Sequence, residues 1–153
     1  MTYHEINMDL FELSHTHILA HCISSDFALG AGIAVEFNKR YDMRRKLIMM
    51  FPRNAFSTIG PTALLVGNVY NLVNKDRYFE KPTYQTVQTA LEVMRGSMMK
   101  YHQTELAMPT IASDLDRLSW ARVSVIIQEV FKDTNINVII CKLDKPRGVS
   151  QRS

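Results

Sequence analysis

Apolar residues fall along this chain either in short continuous runs or in stripes at helical spacing, and the alternation of the two predicts strands separated by helices. The run His17-Ile18-Leu19-Ala20-His21-Cys22-Ile23, within residues 13–23, reads as a buried strand. Residues 30–46 open on glycines and continue in good helix formers, so they read as a helix. Residues 63–66 and 68–73 read as two short strands about Gly67. A long helix opens near Pro82, since proline is accommodated in a first helical turn, and Val87, Ala90, Leu91, Met94 and Met98 mark its core face. Residues 105–109 form a short strand and 110–118 a loop. Ser119 then caps a helix whose Trp120, Val123, Ile127, Val130 and Phe131 share one face. Val138-Ile139-Ile140-Cys141 is a last, β-branched strand. Strands interleaved with helices imply an α/β sandwich with helices on both faces of the sheet.

Composition narrows the class. A length of 153 residues suits one domain, and 46% apolar with 22% charged residues suits a folded globular chain. A formal net charge of +3 is too small to argue for duplex DNA, but it favours an anionic small ligand. No run approaches the ~20 apolar residues of a membrane span. The opening Thr2-Tyr3-His4-Glu5 has no apolar signal core. Cys22 and Cys141 form no CxxC pair, fit no zinc spacing and sit in apolar runs, so both read as buried, reduced thiols in a cytoplasmic setting. Neither a metal nor a cofactor is expected, and a monomer is. Lys39, Arg40, Arg44, Arg45 and Lys46 read as a solvated helix face, or as a means of steering an anion. Nucleic-acid binding through them and through a flexible basic tail at 145–153 is disfavoured, because no aromatic residues are interleaved with the charges.

Ligands of open α/β sheets bind at the carboxyl ends of the strands, which directs attention to three loops. In Ser24-Ser25-Asp26-Phe27-Ala28-Leu29-Gly30-Ala31-Gly32-Ile33-Ala34, glycines before a helix let the backbone approach a phosphate; a plain tight turn is the other reading. In Asn74-Lys75-Asp76-Arg77, a lysine just past a strand ending at Val73 is either a phosphate partner or nucleophile, or an ordinary exposed lysine. In the third loop, 109–118, Asp114 and Asp116 serve as a general base or cap the next helix. No Walker motif or dinucleotide fingerprint is present. His21, inside an apolar run, reads as a satisfied core histidine.

Together, Ala20-His21-Cys22-Ile23-Ser24, Gly30-Ala31-Gly32-Ile33-Ala34, Lys81-Pro82-Thr83-Tyr84, Met108-Pro109, Leu115-Asp116-Arg117-Leu118 and Trp120 resemble the macro domain superfamily. Within it they are most similar to the terminal ADP-ribose protein glycohydrolase type, in the family's order from about residue 6 to residue 143. The resemblance implies a three-layer α/β/α sandwich with a mixed central sheet over residues 1–144. It implies an ADP-ribosyl hydrolase acting on ADP-ribosylated proteins or on 1″-linked ADP-ribose derivatives such as ADP-ribose 1″-phosphate and O-acetyl-ADP-ribose. A non-catalytic ADP-ribose reader is the alternative.

Residue by residue, the resemblance implies that Asp9 accepts a hydrogen bond from the adenine amino group, supported by the Leu10 backbone. Ser24 contacts the ligand, and Gly30, Ala31, Gly32, Ile33 and Ala34 surround the distal ribose and diphosphate. Thr110, Ile111, Ala112, Ser113, Asp114 and Leu115 form a second phosphate and ribose loop, and Leu143 lies near the adenine. Lys75 matches the family's nucleophile and Asp116 its proton-transfer carboxylate. The chain departs from the family at Met8, where glycine is usual, and at Ala112-Ser113-Asp114, which stand where the family reads glycine, any residue, glycine. Ala112 reads as a mild change. Asp114 either points inward, where a carboxylate repels bound phosphate, or turns to solvent.

Overall fold

Successive side chains of the inner strands point to opposite faces, and both faces are covered. Tyr70 and Leu72 join one core cluster while Val69 and Val73, on the same strand, join the other. The computed structural model describes residues 1–52 and 59–143, so the expected tail at 145–153 lies outside the described residues. The strands are β1 (Thr2–Asn7), β2 (Ile18–Ser24), β3 (Thr62–Val66), β4 (Val69–Lys75), β5 (Glu105–Met108) and β6 (Asn137–Lys142). They form one six-stranded sheet in the order β1-β6-β5-β2-β4-β3. Every neighbouring pair is parallel except β3–β4, which is an antiparallel hairpin. Helices α3 (Tyr84–Lys100) and α4 (Trp120–Phe131) cover one face. Helices α1 (Ile33–Tyr41) and α2 (Met43–Met50), with a short 3-10 helix at Leu10–Leu13, cover the other. This is the expected three-layer sandwich with a mixed sheet.

Several local expectations are corrected. The single helix at 30–46 is two helices, broken where Asp42 takes a left-handed conformation (φ 53°, ψ 43°). Aspartate tolerates that region better than most residues, and here its carboxylate pairs with Arg45. Pro82 precedes α3 rather than opening it. Thr83 is the N-cap, accepting the Thr86 N–H at 3.1 Å while the Thr83 N–H donates to the Thr86 hydroxyl at 3.0 Å. Ser119 holds the N-cap position of α4 without capping through its side chain, and its backbone N–H donates to the Tyr84 hydroxyl at 3.0 Å. β1 was not anticipated, because it is an edge strand that is exposed along nearly its whole length and so lacks an apolar run.

The most consequential correction lies in β4. The strand does not stop at Val73 but continues through Lys75. Its pairing with β2 shifts at the end: Ile23 pairs with Val73, and Ser24 then pairs with Lys75. Asn74 is therefore an extra residue in a bulge, which bends a strand and re-aims the side chains that follow. Its own side chain is fully buried, with neither amide atom hydrogen-bonded among the described residues. An unmet buried polar group costs about 1–3 kcal/mol, so the bulge is held against a local penalty.

Candidate active site

The carboxyl ends of β2, β4, β5 and β6 border a cleft of about 1230 Å³, ample for a ligand of dinucleotide size. Asp26 organises the first wall. Its Oδ1 accepts from the Ser24 hydroxyl and from the Ala28 N–H (3.2 Å), and its Oδ2 accepts from the Tyr78 N–H at 2.9 Å. One carboxylate thus ties the loop after β2 to the loop after β4. The Ser25 hydroxyl adds a bond to the Asp76 carbonyl at 2.8 Å. The wall ends at Gly32, whose φ of 61° and ψ of −147° fall in a region open essentially to glycine alone. A Cβ there would lie 3.2 Å from Leu115 Cδ1, so the two loops also meet at this point. No side chain caps α1, and the N–H groups of a helix's first turn have no intrahelical partner. They suit an anion.

The opposite wall is the loop after β5. It is folded on itself by Ile111 N–H to Pro109 O (2.8 Å) and Leu118 N–H to Ala112 O (2.9 Å). The Lys81–Tyr84 stretch buttresses it from outside. Lys81 Nζ donates to the Leu115 carbonyl at 3.0 Å, and the Tyr84 hydroxyl takes the Ser119 N–H as described. Arg122 stacks over the Tyr84 ring at 3.8 Å. The motif that carried part of the resemblance therefore supports the loop from outside the cleft.

Between the walls, Lys75 Nζ donates to Asp116 Oδ1 at 2.7 Å, with 14% and 15% of the two side chains exposed. These groups come from strands and loops 41 positions apart in the chain. Breaking such a pair leaves an uncompensated charge in a half-dry site. Cys22 lies close by. Burial holds its thiol well above the usual range; Asp116 pushes it further up while Lys75 lowers it. It is a thiol and not a thiolate nucleophile.

Most of the residues singled out in the sequence converge here. Ser24 and the stretch Gly30, Ala31, Gly32, Ile33 and Ala34 line the cleft on one side. Thr110, Ile111, Ala112, Asp114 and Leu115 line it on the other, and Leu143 lies at its end. Asp9, Leu10 and Ser113 do not line it. Asp9 caps the 3-10 helix through the Phe11 N–H (3.0 Å), Leu10 is buried in the core, and Ser113 donates to the Thr110 carbonyl at 2.9 Å. A bond from the Met8 N–H to the Lys142 carbonyl (2.9 Å) nevertheless sets this segment beside the Leu143 end.

Of the two glycine replacements, Ala112 and not Asp114 bears the conformational demand, with φ 61°; no positive φ occurs at Asp114. Cys22 is half-buried in the cleft wall rather than fully buried as expected, because β2 ends at the cleft, although its thiol is desolvated there. His21 is buried, its Nε2–H donates to Asn71 Oδ1 (2.7 Å), and its ring stacks on Phe37 at 3.9 Å. Its Nδ1 has no partner among the described residues, so only half of the ring is satisfied. Burial lowers its pKa to about 4. The basic stretch is divided between α1 and α2: Arg40 stacks on Phe11 (4.3 Å), and Arg44 Nε donates to the Phe27 carbonyl at 3.0 Å. Sequence reasoning missed Asp26 and Tyr78. The signals were there in Ser24-Ser25-Asp26, an acid poised to bond its own loop, and in adjacent aromatics, Tyr78-Phe79, inside a loop.

No family model matches the chain. The ADP-ribose glycohydrolase OARD1 of Homo sapiens is 41% identical to it over 138 residues, spanning 88% of each chain. The macrodomain of Mycobacterium tuberculosis DarG superposes with a TM-score of 0.78 at 16% identity, over 94% of this chain and 99% of that one. Thermosipho africanus DarTG in complex with ADP-ribose superposes with a TM-score of 0.70 at 15% identity, over 100% of this chain and 45% of that one. With that sequence identity across most of its length, and with this fold, the chain belongs to the macrodomain family of ADP-ribose glycohydrolases.

Proposed function

We propose that this protein is an ADP-ribosyl hydrolase that releases ADP-ribose from acidic side chains of modified proteins or from 1″-linked derivatives, with Lys75 as nucleophile and Asp116 as proton carrier. The observation that carries the reading is the 2.7 Å contact between Lys75 Nζ and Asp116 Oδ1 inside the cleft. An amine attacks only as the free base, and a carboxylate at hydrogen-bond distance takes its proton. The Lys75 nitrogen then bonds to C1″ of the distal ribose as the C1″–O bond breaks, and the leaving carboxylate departs with the electron pair. A carboxylate is a good leaving group and needs little acid assistance. Water then adds at C1″ as the C1″–N bond breaks and its electron pair returns to nitrogen; one water proton stays on the new C1″ hydroxyl and the other passes to solvent, and the proton held by Asp116 returns to the amine, freeing ADP-ribose. The uncapped first turn of α1 and the Gly30–Ala34 backbone hold the diphosphate, and Thr110–Leu115 closes over the ribose. Asp9 and the Leu10 backbone take the adenine, beside Leu143.

The test is release of ADP-ribose from an automodified polymerase substrate. The wild type is expected to release it, Lys75→Ala to be slower by roughly 10³-fold or more, and Asp116→Ala by about 10²–10⁴-fold. Equal, negligible release by all three ends the catalytic reading. If calorimetry then still finds ADP-ribose bound, the protein is a reader.

A further inference from the structure

Two aromatic rings in the loop after β4 stand out from the surface beside Lys75. Tyr78 and Phe79 are 66% and 67% exposed, more than any other described Tyr, Phe or Trp, and their rings meet edge to face with centroids 5.4 Å apart. Exposed rings forgo the burial that ordinarily stabilises a fold, and aromatic residues are enriched at the centres of binding surfaces. The backbone fixes where this pair stands. The Tyr78 N–H donates to Asp26 Oδ2 at 2.9 Å, and the turn closes on itself through Glu80 N–H to Arg77 O (3.0 Å) and Arg77 N–H to Glu80 Oε1 (2.7 Å). Tyr78 lines the cleft and Phe79 does not, so the pair leads from the cleft wall out onto the surface.

Leu143 lies at the cleft's end after β6 and Lys75 on β4, with β5 and β2 between those strands. A nucleotide with its adenine at Leu143 and C1″ at Lys75 therefore presents its leaving group at the β4 end, where Tyr78 and Phe79 stand. Resting on the hydrolase reading above, we infer that Tyr78 and Phe79 are a docking platform for the polypeptide that carries the ADP-ribosylated acidic side chain. A polypeptide lies across the rim while only its modified side chain enters the cleft, and the rim is where the pair is exposed. Charge does not choose the occupant here. In the loops after β4 and β5 the cations Arg77, Lys81 and Arg117 are matched by Asp76, Glu80 and Asp114, while Asp116 is taken up by Lys75. The platform therefore grips through its rings, against the apolar side chains and backbone next to the modified residue, and salt has little effect on it.

The experiment compares two esters with the same bond at C1″: a peptide ADP-ribosylated at one glutamate, and O-acetyl-ADP-ribose, which has no polypeptide. Both are measured with the wild type, Phe79→Ala and Phe79→Tyr, at low and high salt, and thermal melts establish that the variants fold. Phe79→Ala is expected to lower kcat/KM for the peptide by roughly tenfold, the loss typical of a truncated anchor residue, chiefly through KM. It is expected to leave O-acetyl-ADP-ribose unchanged, and Phe79→Tyr to keep the wild-type rate on both. The double variant with Tyr78→Ala is expected to lose more on the peptide than Phe79→Ala alone. An equal loss on both esters would mean that the ring acts on the nucleotide or on the fold, and would overturn the inference. An unchanged rate on the peptide overturns it as well, and so does a peptide preference abolished by salt, which would assign docking to charge. If the wild type hydrolyses neither ester, the hydrolase reading itself fails, and this inference with it.

Discussion

The loop after β2 and the loop after β5 wall the same cleft from strand ends of the same sheet, yet they manage their backbones differently. Both place residues other than glycine at positive φ: Phe27 (53°) and Leu29 (47°) in the first, Ala112 (61°) and Arg117 (63°) in the second. Phe27, Leu29 and Ala112 are buried, so packing offsets the roughly 1–2 kcal/mol that a left-handed residue costs. Gly32 is a different case. Its φ and ψ together fall in a region open essentially to glycine alone, and the place where a Cβ would go faces Leu115. A positive φ alone is offset by packing, whereas a side chain in the Gly32 conformation carries a larger strain. The second loop could therefore lose both of its family glycines while the first keeps the one at the start of α1.

Three perturbations probe this difference, the largest first. Helix α1, which the first loop launches, rests through Phe37 on His21, and His21 is buried in its neutral form. Its pKa of about 4 lies below the ordinary unfolded value of ~6.5, so the unfolded chain binds the extra proton in that window. The stabilisation is complete above pH 6.5 and is lost as pH falls towards 4, by about 3 kcal/mol. Urea melts across this range are expected to show that slope, and His21→Gln to flatten it; a slope that survives the substitution places the acid sensitivity elsewhere. Next, Gly32→Ala is expected to destabilise by about 2 kcal/mol and to weaken ADP-ribose binding, measured by denaturation and calorimetry. Smallest, and opposite in sign, Ala112→Gly is expected to stabilise by up to about 1 kcal/mol, because it relieves the positive φ. If Gly32→Ala and Ala112→Gly shift the melt in the same direction, the contrast between the loops is wrong.

The inner strands were legible because both faces of each are buried, which leaves continuous apolar runs such as Leu19 to Ile23 and Val138 to Cys141. The edge strand β1 carries no such run, since one side of it meets solvent. The break at Asp42 escaped notice because neither glycine nor proline marks it; only a left-handed aspartate does. Lys75 was legible as a candidate, but its place was not. Nothing in Leu72-Val73-Asn74-Lys75 announces a bulge, which is a property of the pairing with β2. The second loop's charge was readable in Asp114, whereas its strain was not, because φ belongs to the folded loop and falls on Ala112. Asp26 shows the same limit: one carboxylate joining two loops is a contact across 52 positions, invisible to local pattern.

The direct test of the account is a crystal structure of the protein with ADP-ribose bound. It is expected to show the diphosphate against the first turn of α1 and C1″ within about 3–3.5 Å of Lys75 Nζ, the separation from which a nucleophile can attack. A nucleotide lying elsewhere, or one in this cleft whose distal ribose turns away from Lys75 and Asp116, would contradict it.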